Sequence, residues 1–139
     1  MRATRASRVL DIPGMAARLE RFAEIGREIE TRGVGRARAA GVAARIGKRL
    51  GHAGPWYEVL DRPKDAQEAT EIEKSVAEWA DGDSIAAHIA YGNDFFCTED
   101  QGKTAGNASV LDLNNRTWLE TCYGVQFVTL SELAGKLQL

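Results

Sequence analysis

Two pairs of carboxylates flank one short stretch of this 139-residue chain: Asp81 with Asp83, and Glu99 with Asp100. Carboxylates that converge repel one another, and their pKa values rise unless a cation or a lysine neutralises them. Mg²⁺ or Mn²⁺ would do so, and such an ion also binds phosphate oxygens and activates water. The chemistry this pattern indicates is metal-assisted attack on a phosphoester. A second reading is equally physical. Asp81 and Asp83 are good helix caps, and Glu99 and Asp100 are ordinary turn residues.

The elements around these acids decide whether they can meet. Residues 81–103 read DGDSIAAHIAYGNDFFCTEDQGK. A helix over 83–91, at ~1.5 Å per residue, advances about 13 Å. A buried strand over 94–98, at ~3.3 Å per residue, covers roughly the same distance back. Asp83 at the helix start and Asp100 just past the strand end should then lie together, at the carboxyl end of a strand.

The rest of the chain supplies support for that edge. Met15, Leu19, Phe22, Ile25 and Ile29 recur every three or four residues, which predicts a helix that Gly33 and Gly35 end. Residues 36–50 predict a second helix with Val42, Ile46 and Leu50 in line, weakened by Gly41 and Gly47. Residues 56–60, WYEVL, alternate like a strand. After Pro63 a third helix carries Ala69, Ile72, Val76, Trp79 and Ala80 on one face. Glu68, Glu71, Glu73 and Glu78 form its acidic face, and Asp81-Gly82-Asp83 interrupts it. Residues 99–109 predict a polar loop. A helix capped by Asn114 or Asn115 follows, then a strand over 125–129 and a terminal helix capped by Ser131. Helix and strand alternate in this second half, which predicts a parallel sheet flanked by helices in a single α/β domain over 1–139.

Hydrophobic residues make up 44% and charged residues 27%, as in ordinary globular domains, and no apolar run reaches the ~20 residues of a membrane span. The basic N-terminus lacks the apolar segment of a secretory signal. A cytoplasmic protein with Cys97 and Cys122 reduced and mostly buried is expected. Charge is uneven: residues 1–60 hold 12 Lys+Arg against 6 Asp+Glu, and residues 61–139 hold 6 against 14. Either an electropositive surface stands beside an acidic site, or the two halves interleave their charges in space.

Other motifs carry little chemistry. Gly102-Lys103-Thr104 has the ending of a phosphate-binding loop, but Cys97 stands where that loop needs its first glycine. Lys103 remains a candidate point charge for a substrate phosphate. Two Asn-x-Ser/Thr matches, at Asn107 and Asn115, mean little without a secretory signal. His52 and His88 stand alone, so neither a zinc site nor a Ser/His/Asp or Cys/His set assembles.

The stretch DSIAAHIAYGNDFFCTEDQGK resembles the C-terminal part of a PIN domain. In that pattern an Asp opens an Ile-Ala-Ala helix, a Gly turn follows, and a hydrophobic strand ends in Thr-x-Asp. Asp83 matches the helix acid, and Thr98 and Asp100 match the strand end. YGVQFVTLSELA resembles the closing strand and helix, so the likeness covers about residues 70–135. It implies a three-layer α/β/α fold with a short, mainly parallel sheet, behind a helix-rich N-terminal half. It also implies a Mg²⁺- or Mn²⁺-dependent ribonuclease of toxin type, with RNA as substrate and an antitoxin or a second copy as partner. Asp83 and Asp100 would then be metal-site acids, with Asp11 as a third catalytic acid and Thr98 and Lys103 at the substrate. The family's opening strand, hydrophobic-Asp-Thr/Ser-Asn, has no counterpart here. Arg8-Val-Leu-Asp11-Ile-Pro is the only local candidate, and Pro13 fits poorly inside a central strand. Asp11 would otherwise take the second acidic position, with the first strand upstream of Met1 and the domain truncated. The alternative function is a catalytically inactive PIN-like remnant that binds RNA or protein.

Overall fold

The computed structural model describes residues 13–100 and 108–138. Asp11 and Lys103 lie outside the described residues. The chain is mostly helical, with one small parallel sheet. In order come α1 (Met15–Thr31), α2 (Arg36–Leu50), a 3-10 segment (Trp56–Asp61), α3 (Ala66–Tyr91), β1 (Phe96–Cys97), α4 (Leu113–Tyr123), β2 (Phe127–Val128) and α5 (Leu130–Leu137). β1 pairs with β2 in parallel, Phe96 opposite Phe127 and Cys97 opposite Val128.

α3 is the spine of the molecule. Asp65 caps it by accepting the Glu68 N–H at 2.8 Å, and Gly92 closes it in the left-handed conformation at φ 67°. Its first half packs on α2 and the 3-10 segment through Val42, Ala43, Ile46, Val59 and Ile72. Its second half packs on α1, on the 110–111 turn and on α4 through Ile25, Ile29, Ile85, Ala86, Leu111 and Leu119. One helix thus carries two core clusters, and the groups on its remaining surfaces are held in fixed register.

α1 and α2 occupy the positions that their apolar spacing predicts. Four expectations change. First, the break at Asp81-Gly82-Asp83 does not occur, because α3 runs unbroken for 26 residues. Gly82 serves packing there: a Cβ on it would lie 3.0 Å from the Gly35 Cα, so the glycine lets the 33–35 turn touch the helix backbone. Second, 56–60 is a 3-10 segment rather than a strand. Its three-residue repeat sends Val59 into the core and sets Trp56 against Trp79, ring centroids 5.4 Å apart. Third, both strands are two residues long and only partly covered, so 94–98 is not a long buried strand. Fourth, Cys97 and Cys122 are free and exposed, not buried. The caps also move, to Asp112 for α4 and to Thr129 for α5, where Thr129 and Glu132 form a reciprocal capping box.

The uneven charge resolves by interleaving. Arg45 grips Glu71 with two bonds of 2.8 and 2.7 Å, Arg49 holds Glu68 at 2.8 Å, and Arg38 lies 3.9 Å from Glu78. Cations of the first half therefore sit on acids of the second. Among the described residues, no helix is long and apolar enough to cross a membrane.

Candidate acidic cleft

Helix phase decides which acids meet. Residues 81 and 83 are two apart in an unbroken α-helix, roughly 200° of rotation at ~3.6 residues per turn. They therefore point to opposite sides of α3. Asp81 shares a cleft of about 150 Å³ with Asp100, Glu78, Arg38, Lys74 and Ser109. Asp83 lines a different cavity, with Phe22, Glu30, Arg36 and Trp79. The expected meeting of Asp83 with Asp100 is thus replaced by a meeting of Asp81 with Asp100. The helix-and-strand arithmetic took 83 as a helix start, and the true start lies at Ala66.

Asp100 is placed by its backbone. Its N–H donates to the Thr98 Oγ1 at 3.0 Å, a tight turn at the strand end. Arg116 donates both to the Asp100 carbonyl and to the Leu111 carbonyl, and lies over the Phe127 ring at 4.8 Å. Thr98 therefore supports the turn that carries Asp100. Its neighbour Glu99 faces elsewhere and accepts the Leu130 N–H at 2.7 Å.

The cleft floor is built on Glu78, which is only 4% exposed. Its carboxylate accepts from the Gly35 N–H at 2.7 Å, the Val110 N–H at 2.9 Å and the Ser109 hydroxyl at 2.8 Å. These bonds tie the turn before α2 and the turn before α4 to the spine. Arg38 lies beside Glu78 and donates to the Ala108 carbonyl at 3.2 Å, so a cation is fixed on one wall. Lys74 stands exposed on another.

Among the described residues, Asp81 has no such set of donors. Burial, the Glu78 charge and the Asp100 charge together push its carboxyl above the usual carboxylate range. Asp83 is raised too, by burial first and by Glu30, while Arg36 and a hydrogen bond from Trp79 oppose the shift. His88 is a core residue: it packs edge-on to Phe96 at 5.5 Å, and burial lowers its pKa against the pull of Asp94.

Glu78 is the residue that sequence reasoning missed. The sequence groups it with Glu68, Glu71 and Glu73 on an acidic face. Yet 68, 72, 75, 78, 82 and 85 recur every three or four residues, and all of them are buried. Two acids on the apolar stripe of an amphipathic helix were the available signal.

Among the described residues, no group of three or more His, Cys, Asp or Glu side chains is arranged to hold a metal ion. Comparison of the chain with family models, with curated proteins and with solved structures finds no match.

Proposed function

We propose that the chain is a PIN-like, Mg²⁺- or Mn²⁺-dependent ribonuclease whose reactive centre is the Asp81–Asp100 cleft. The observation that carries this reading is the Asp81 carboxyl, held above its usual range by burial and by the Glu78 and Asp100 charges, in a cleft that has Arg38 and Lys74 on its walls. The donor set fits a hard divalent ion, because Mg²⁺ commonly takes one or two carboxylates and completes its shell with water and substrate phosphate. Asp81 and Asp100 would hold it, and the ion would supply phosphate-oxygen binding and an activated water. Arg38, oriented by Glu78, meets a non-bridging phosphate oxygen, and Lys74 stands at the border of the cleft. Thr98 keeps Asp100 in place through the Asp100 N–H.

In this reading the β1–β2 pair and its flanking helices belong to a three-layer α/β/α sheet of PIN type. Asp11 and Lys103, outside the described residues, remain the further acid and phosphate contact that the resemblance to a PIN domain implies. The protein works in the cytoplasm, with RNA as substrate and an antitoxin or a second copy as partner. A second reading, a non-catalytic PIN-like module that binds RNA or protein, draws support from the lack of a three-acid group among the described residues.

A labelled single-stranded RNA incubated with Mg²⁺ or Mn²⁺ separates the two. The catalytic reading expects metal-dependent cleavage, reduced by about two orders of magnitude or more in Asp81→Asn and in Asp100→Asn, as when a group stabilising the transition state is lost. Intact RNA at every metal concentration, or cleavage indifferent to both substitutions, overturns it.

A further inference from the structure

The acidic cleft is not closed at its Arg38–Lys74 end. A groove of about 410 Å³ runs on from it along the seam of α2 and α3, with Arg38, Gly41, Arg45, Glu71, Lys74 and Ser75 among its lining residues. Arg38 and Lys74 border both spaces. Lys74 makes no ion pair among the described residues, whereas Arg45 at the far end is already gripped by Glu71. Gly41 sits exposed in the middle of α2, where glycine weakens a helix, and a Cβ on it would touch nothing within 4 Å. No packing contact requires a glycine there, and its lack of a side chain keeps the groove open.

We propose that this groove seats the sugar–phosphate backbone of a single-stranded polynucleotide, with Lys74 contacting the phosphate next to the one in the cleft. The span from Arg38 to Arg45 is ~10 Å along the helix at ~1.5 Å per residue. At about 410 Å³ the groove has room for a single sugar–phosphate backbone and not for both strands of a duplex. The proposal rests on the nuclease reading insofar as the strand leads into the same cleft.

The test is fluorescence anisotropy of a labelled ten-nucleotide oligouridylate with the full chain, in EDTA so that nothing is cut. Binding should weaken with salt, by a log–log slope of about −0.7 for each phosphate contact. Lys74→Glu should weaken binding about tenfold and make the slope shallower by roughly 0.7. Gly41→Leu should weaken binding similarly while the protein melts at a higher temperature, since leucine favours the helix that glycine weakens. A duplex of the same length should compete poorly. No binding by the wild type, equal binding of duplex, or indifference to both substitutions overturns the proposal. Binding that follows these expectations without any cleavage in Mn²⁺ sinks the nuclease reading and leaves the groove standing. Cleavage that persists with unchanged KM in both variants does the reverse.

Discussion

Glu78 and Asp81 stand less than one helical turn apart on α3, both facing the cleft, and their surroundings differ in kind. Glu78 is buried, with two backbone N–H groups and a hydroxyl delivered to it and Arg38 alongside. Asp81 is half-buried, faces two other acids, and resists ionisation. A carboxylate supplied with donors is a structural strut, because removing it strands the donors. A half-buried carboxylate beside two like charges, with no such donors among the described residues, is destabilising as it stands, and it persists where something else neutralises it. The difference lies in what the two preceding turns, 33–35 and 108–112, present to the helix.

The largest expected effect breaks the strut. Glu78→Ala leaves the Gly35 and Val110 N–H groups and the Ser109 hydroxyl without their acceptor inside the fold. At ~1–3 kcal/mol per stranded buried group, the loss should reach about 3–5 kcal/mol after partial relaxation. That is a large share of the ~5–15 kcal/mol of a typical domain. The midpoint of urea unfolding measures it. A loss below about 1 kcal/mol would mean that water replaces the carboxylate and that Glu78 is no strut.

Asp81→Asn should move stability the other way, and by less. The folded-state pKa of Asp81 lies above its unfolded value. Between the two, the folded chain holds a proton that the unfolded chain has released, so stability falls as the pH rises through that window. The amide removes the repulsion at all pH values. The variant should therefore be more stable than wild type at pH 7, and the two should converge below about pH 4, where the carboxyl is protonated in both states. Urea unfolding at pH 7 and below pH 4 measures this. A variant less stable at pH 7 would show that Asp81 has a stabilising partner after all. Mn²⁺ should raise the wild-type stability at pH 7 and leave the variant unchanged, because only the wild type gains a bound ion.

The sequence made the helices legible and the site only half so. The apolar spacing of α1 and of α2 located both, since long amphipathic periods survive any tertiary context. Gly82 misled because glycine between two aspartates reads locally as a break, whereas its cause is long-range: Gly35 must approach the α3 backbone. Residues 56–60 misled because Tyr57 and Val59 fit an alternation of two while Trp56 and Val59 fit a repeat of three, and five residues cannot separate the two periods. Of the candidate site, the Thr98–Asp100 turn was visible in the Thr-x-Asp pattern. The partner on α3 was not. Choosing between Asp81 and Asp83 requires knowing that the helix is continuous, and an error of two residues turns the side chain to the opposite face.

Asp83→Asn is the smallest expected change and the one that fixes the helix phase. Asp83 faces the cavity between α1 and α3, where Arg36 and Trp79 oppose, without cancelling, the rise that burial and the Glu30 charge give its carboxyl. It is exposed, and surface substitutions without a buried partner commonly fall within about 0.5 kcal/mol. Its stability should therefore barely move in urea. RNA cleavage in Mn²⁺ should continue at the wild-type rate, because the side chain points away from Asp100. Set beside Asp81→Asn, the pair tests orientation and nothing else: both positions lose one charge, on one helix, two residues apart. Cleavage lost in Asp83→Asn and kept in Asp81→Asn would place the reactive centre in the Trp79 cavity instead, with Arg36 as its cation.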